Sequence, residues 1–202
     1  HLPTMSATVL LLDPRWPTLI PLHLAGRIGG TVEFTPEVPV AVRWALDTTE
    51  GDGHWLITTD ESHARRLEQG GATVERAASL ADPVYQATST MHAARRRGEW
   101  EQAMTHESLL PYLREEAEEV AEAIQSGSLD DELKQELADL LLQVLFHAEL
   151  AAERSAFDFA DVADAFVQKM RRRAPYLFDG SEGLVDKQTQ DRLWAEGKAR
   201  ER

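Results

Sequence analysis

The 202-residue sequence contains no cysteine, which excludes disulfides, thiolate metal sites and a cysteine nucleophile. Basic residues are scarce: 21 lysines and arginines stand against 35 aspartates and glutamates, a formal charge of −14. That balance argues against a general nucleic-acid surface, where a basic footprint is expected, and against attraction to anionic lipid. Long hydrophobic runs are missing too. The start, HLPTMSATVLLLDPRW, holds an apolar run too short for a signal peptide or a membrane span. A cytoplasmic protein is the expectation, with His1 to Thr4 read as a remnant of expression ahead of Met5. Gly29-Gly30 has neither the GxGxxG pattern nor a following Lys-Ser/Thr, so it is no phosphate loop. No histidine has a glutamate three residues before it, which removes the Glu-x-x-His pairs of a carboxylate-bridged di-iron bundle.

What is present divides into two regions, a small α/β module over residues 5–82 and a mainly α region over 83–202. Ala7 to Leu12 reads as a strand closed by Asp13-Pro14. Thr31 to Phe34 and Val38 to Trp44 read as further strands, the latter demoted towards an edge by Pro39. Trp55 to Thr59, a helix over Glu61 to Gln69 and Ala72 to Arg76 make a strand-helix-strand unit. The module carries no recognisable chemistry, and a docking or structural role is the expectation. Helical character resumes at Pro83 and ends in Arg95-Arg96-Arg97, a basic run that complements a helix C-terminus.

The stretch from Leu109 to Ala152 organises the rest. Leu113, Ala117, Val120 and Ile124 have the spacing of a helix packed on one side. At about 100° per residue, Glu115, Glu118 and Glu122 fall opposite that stripe, whereas Glu116 and Glu119 share one flank of it. After Ser126-Gly127-Ser128, with Ser128 as candidate N-cap, a second helix carries Leu133, Leu137, Leu140, Leu141, Val144 and Ala148 on one face and Leu142 and Phe146 on another. A helix apolar nearly all round is a buried one. Through it runs one polar strip, Glu132, Glu136, Asp139, Gln143 and His147. Carboxylates are rarely buried unless paired or bound to metal. Four of them brought together from two helices repel unless a cation sits among them. An all-oxygen set suits Mg²⁺, or Mn²⁺ in its place, better than zinc. For the first helix alone a solvated Glu-rich face is the competing reading.

Downstream, Asp158 is a candidate cap for a helix over Phe159 to Arg173, with a stripe of Phe159, Val162, Phe166 and Met170. Lys169 and Arg173 lie at the stripe's edge, one turn apart, while Arg171 and Arg172 point elsewhere. A polyphosphate clamp and a basic helix end before Pro175 both fit that spacing. A last polar helix, Asp186 to Arg202, contains Trp194 and Lys198.

Glu115-Glu116-x-x-Glu119, then Glu136-x-x-Asp139 followed by Leu-Leu-Leu-Gln-Val-Leu-Phe-His-Ala, resembles the MazG family of nucleoside triphosphate pyrophosphohydrolases, from about Trp100 to Lys198. The segment Gly98 to Leu109 is similar to the family's Cys-Pro-Trp-Asp-x-x-Gln-Thr-His-x-Ser-Leu. Trp100, Thr105, His106 and Ser108 match, but Gly98 and Glu99 replace Cys-Pro and Met104 stands where glutamine is usual. The chain also resembles actinobacterial members in having an N-terminal segment ahead of a single MazG region. The resemblance implies an all-α MazG-type bundle that cleaves (d)NTPs to monophosphate and pyrophosphate, house-cleaning the nucleotide pool and its damaged members. It implies Mg²⁺ on Glu116, Glu119, Glu136 and Asp139, catalytic roles for Glu115 and Glu119, phosphate contacts from Lys169, Arg173 and Lys198, and substrate contacts from Trp100, His106 and Trp194. Trp100 also reads as a core aromatic, and Trp194 as a pin for the tail. The helices offer too little core for an isolated bundle with a charged cleft, and Leu142 and Phe146 would be exposed in a monomer, so a homodimer is expected. Two alternatives stand: a dUTPase-like enzyme acting on one nucleotide, and a non-catalytic nucleotide- or partner-binding regulatory module.

Overall fold

The structure, a computed structural model, describes residues 7–46 and 50–201. Residues 1–4, expected to be an expression remnant, lie outside the described residues. The chain divides into two compact units between Gln86 and Ala87. Among the described residues no helix is long and apolar enough to cross a membrane.

In the first unit, strands β1 (Thr8–Leu11), β2 (Thr31–Phe34), β3 (His54–Thr58) and β4 (Thr73–Arg76) form a parallel sheet in the order β2-β3-β1-β4. Parallel strands are covered on both faces, which is why β1 is continuously apolar instead of alternating. Leu10, Leu12, Trp55 and Ile57 pack with Leu24 and Val42. Val9 and Leu11 pack against Ala64 of the helix Glu61–Gln69, whose N-cap Asp60 accepts from His63 N–H at 3.1 Å.

One expected strand is a helix. Val40–Ala45 forms α1, with Pro39 at its N-cap, so Glu61–Gln69 is α2. The spacing Val38, Val40, Val42, Trp44 reads as strand alternation. Val38 and Val42, which are buried while Val40 and Trp44 are exposed, are also one helical turn apart. Proline decides between the two, since it cannot donate to a ladder but sits at a helix start without loss.

The second unit is helical: the rest of α3 (Pro83–Arg97), α4 (Glu99–Ala103), α5 (Leu110–Gln125), α6 (Asp131–Glu153), α7 (Phe159–Arg173) and α8 (Lys187–Arg200). Met91, Leu109, Leu145, Phe146 and Leu150 make its core. Arg95 holds α4 in place, donating to Glu101 O, to Met104 O at 3.1 Å and to Glu153 at 2.7 Å. Phe146, expected to be exposed in a monomer, is 1% exposed. Trp100 meets it edge-on at 6.1 Å, because the α3–α4 segment covers the second face of α6. Leu142 is exposed as expected, and Leu137, Leu141 and Val144 of α6 are exposed with it. On α5 the packed face is also rotated from expectation: Ala123 is buried and Leu113 and Val120 are half-buried, while Ala117 and Ile124 are exposed.

Ser128 does not cap α6. Its N–H closes α5 on Ala123 O at 2.9 Å, while the N–H of Gly127 (φ +76°) reaches Ile124 O at 3.1 Å. This is a Schellman ending, and it consumes Ser128, so the N-cap position falls to Asp130. Asp158 caps α7 as expected, in a reciprocal box with Asp161 at 2.9 and 3.0 Å.

Helix α8 approaches the end of α7 closely at Gly197, where a Cβ would lie 2.8 Å from Arg173 Cα. Gly197→Ala should therefore displace α8 and cost about 1–3 kcal/mol. Urea unfolding monitored by far-UV circular dichroism, which follows the helices, checks this, and an unchanged midpoint would show that the two helices can move apart freely.

Candidate metal centre

Helices α5 and α6 pair along their length and face each other with two carboxylates apiece, each pair three residues apart. Carboxylate oxygens of Glu116, Glu119, Glu136 and Asp139 all lie within 4.8 Å of one another. Three of these side chains are half-buried and Asp139 is exposed, so the quartet opens to solvent at one edge. Among the described residues no hydrogen bond or ion pair joins it to a lysine or arginine. Oε2 of Glu116 and Oε2 of Glu136 are buried without any partner.

Burial pushes the Glu116 carboxyl above the ordinary glutamate range, and the charges of Glu119 and Asp139 push it further. Glu136 is raised in the same direction, first by burial and then by the close approach of the Glu119 carboxylate and the charges of Glu119 and Asp139. Desolvated, mutually repelling and undonated oxygens are the condition a hard divalent cation relieves. The donor set therefore fits Mg²⁺ or Mn²⁺.

Further along α6, Gln143 is 4% exposed, and its Oε1 and His147 Nε2 are the other buried atoms lacking a partner among the described residues. The His147 and His106 rings lie nearly parallel, at 8°, and meet edge to edge with centroids 5.0 Å apart and Nδ1 atoms 2.7 Å apart. His106 Nε2 meets Arg154 Nη1 at 2.7 Å. Burial, then the neighbouring His106, lowers the pKa of His147, so its neutral form is favoured.

The other expected site residues fall in several places. Glu115 is exposed and outside the quartet. Both His106 nitrogens are engaged within the protein. Trp100 packs edge-on against Tyr112 at 5.5 Å as well as Phe146. Lys169 and Lys198 are exposed on α7 and α8. Arg173 lies 5.0 Å from the Trp194 ring and binds Glu201 at 2.7 Å. Arg172, expected to point elsewhere, joins it at Glu201 with a 2.8 Å bond. Arg173 and then Arg172 hold the Glu201 carboxyl down at about 2. None of these cations bonds to the quartet. Sequence reasoning missed Glu201 and Arg154, which sit in unremarkable polar surroundings. It placed Gln143 and His147 on the polar strip but gave them no role.

Residues 104–178 match the model of the MazG nucleotide pyrophosphohydrolase domain, and residues 7–75 match that of the MazG N-terminal domain. The chain is 39% identical over 206 residues to the nucleoside triphosphate pyrophosphohydrolase of Mycobacterium tuberculosis, covering 96% of this chain and 62% of the relative. It is 50% identical over 93 residues to the nucleoside triphosphate pyrophosphohydrolase/pyrophosphatase MazG of Thermotoga maritima, covering 46% of this chain and 36% of that one. The crystal structure of a mazG-related protein from Thermotoga maritima superposes with a TM-score of 0.50 at 26% identity, covering 56% of this chain and 97% of that chain. The chain thus spans 62% of the length of the mycobacterial relatives it matches.

Because Glu116 and Glu136 are raised, their contribution to stability is complete below the unfolded glutamate pKa of about 4.3. It is lost as pH climbs through the higher folded values. Thermal scans in EDTA should show this loss, Glu136→Gln should flatten it and saturating Mn²⁺ should reverse it. An identical pH profile in Glu136→Gln would take Glu136 out of the cluster.

Proposed function

The chain belongs to the MazG family, and we propose that it hydrolyses nucleoside triphosphates between the α and β phosphates, releasing monophosphate and pyrophosphate. The observation that carries this reading is the α5–α6 quartet with its two buried, unpartnered carboxylate oxygens. Glu116, Glu119, Glu136 and Asp139 would hold Mg²⁺, or Mn²⁺ in its place. A divalent cation there supplies neutralisation of phosphate charge and lowers the pKa of water. An acidic protein needs such mediation to take a polyanion.

The chain's own groups supply the rest. Glu119 accepts the proton of the attacking water, a role its place inside the quartet favours over exposed Glu115. Lys169, Arg173 and Lys198 bind the phosphates, and Arg173 exchanges Glu201 for a phosphate oxygen when it does so, carboxylate and phosphate being alternative partners of one guanidinium. Trp194, already against Arg173, closes over the nucleotide. Trp100 acts on the substrate side through its packing on Phe146, and His106 acts through His147. The physiological role is clearance of unwanted or damaged nucleotides in the cytoplasm. The exposed Leu137, Leu141, Leu142 and Val144 of α6 pair two copies into a homodimer.

Two measurements test this. Pyrophosphate release from the eight standard (d)NTPs should require Mg²⁺ or Mn²⁺, stop in EDTA and be abolished by Glu119→Gln with the helices intact by circular dichroism. Metal-independent release, or full activity in Glu119→Gln, would overturn the assignment. Sedimentation should show a dimer that Leu141→Arg converts to monomer, whereas a monomeric wild type would refute the pairing of α6 faces.

A further inference from the structure

Four buried side-chain atoms lack a hydrogen-bond partner among the described residues, and all belong to helices α5 and α6: Glu116 Oε2, Glu136 Oε2, Gln143 Oε1 and His147 Nε2. A buried polar group left unpaired costs about 1–3 kcal/mol, and native structures hold few of them. A cation accounts for the two carboxylate oxygens. It does not account for a glutamine and a histidine farther along the helix.

Their positions and chemistry indicate what does. With a rise of about 1.5 Å per residue, Gln143 lies roughly 6 Å and His147 roughly 12 Å beyond Asp139 along the same side of α6. The histidine's tautomer follows from its neighbours. Arginine cannot accept a hydrogen bond, so Arg154 Nη1 donates to His106 Nε2 over 2.7 Å. With Nε2 accepting, the His106 proton sits on Nδ1 and is donated to His147 Nδ1, also 2.7 Å away. Neutral His147 is left with its proton on Nε2, the atom without a partner. The strip beyond the carboxylates thus offers an acceptor and then a fixed donor, both buried and without a partner among the described residues.

We propose that Gln143 and His147 seat the nucleoside half of the substrate, Gln143 Oε1 accepting from and His147 Nε2–H donating to its base or sugar. The inference rests on the pyrophosphohydrolase reading, which puts the phosphates at the quartet. His106 and Arg154 are positioning residues that set the tautomer. Base edges and ribose hydroxyls share this donor–acceptor chemistry, and a ribo/deoxy pair for each base separates them.

The test compares full-length wild type, Gln143→Met and His147→Phe by calorimetry in Mn²⁺. The ligands are the α,β-methylene analogues of the eight standard (d)NTPs, and inorganic tripolyphosphate, which has no nucleoside. Each variant should bind the nucleotide analogues about tenfold more weakly and change their ranking, with Mn²⁺ and tripolyphosphate affinities unchanged. Gln143→Met keeps the side-chain volume and removes a buried unpaired oxygen, so its Tm should not fall. A fallen Tm with unchanged nucleotide affinities would assign the pair to a structural water and overturn the proposal. Equal weakening of tripolyphosphate and nucleotides would overturn it too. A wild type that binds no nucleotide would defeat the pyrophosphohydrolase reading itself. Imidazole ¹⁵N–¹H spectra should show His147 as the Nε2–H tautomer and lose that signature in His106→Ala, and an Nδ1–H tautomer in the wild type would refute the relay.

Discussion

The second unit depends on a repulsion. Glu116, Glu119, Glu136 and Asp139 are held within 4.8 Å by two helices whose apolar contacts keep them there, and no cationic side chain among the described residues pairs with them. Like charges at this separation are tolerated when a counter-charge arrives from outside. The raised Glu116 and Glu136 carboxyls express the same conflict in proton affinity. Stability is thereby tied to the ligand, since anything bound to the folded state alone deepens it.

Around that centre the remaining polar groups are arranged by what satisfies them. His106 spends both ring nitrogens on Arg154 and His147, so its influence passes through its neighbour's tautomer. Arg173 is likewise engaged, clasped with Arg172 on Glu201. A carboxylate held down at about 2 remains ionised at every physiological pH. A phosphate that claims Arg173 therefore competes with a permanent charge.

The N-terminal unit is built on different physics. Its parallel sheet is covered on both faces by apolar clusters, and its most buried ionisable group among the described residues, Asp13 at 1% exposure, is neutralised locally by Arg15 at 2.7 Å. Arg15 lowers the Asp13 carboxyl, the opposite of what happens in the quartet. One unit resolves its buried charge internally, whereas the other leaves it open.

Much was legible in the sequence because it is local. The helix over Glu61 to Gln69, the helix over Phe159 to Arg173 with its Asp158 cap, and the apolar run of β1 depend on neighbours a few residues away. The E-x-x-E and E-x-x-D spacings put two carboxylates on one side of each helix whatever the surroundings. What only the tertiary structure decided concerns groups distant in the chain. Val38 to Trp44 fits both a strand and a helix, and Pro39 with the core around Val42 selected the helix. Phe146 is buried because α3 and α4 return across it, which the pattern of α6 alone cannot reveal. The His106–His147 contact spans 41 residues and the Arg173–Glu201 pair 28, and no periodicity carries information over such separations. The sequence by itself determined which residues could form a cation site. The packing of α5 on α6 decided that they converge, because apolar burial brings the two helices together and charge repulsion alone would drive the quartet apart.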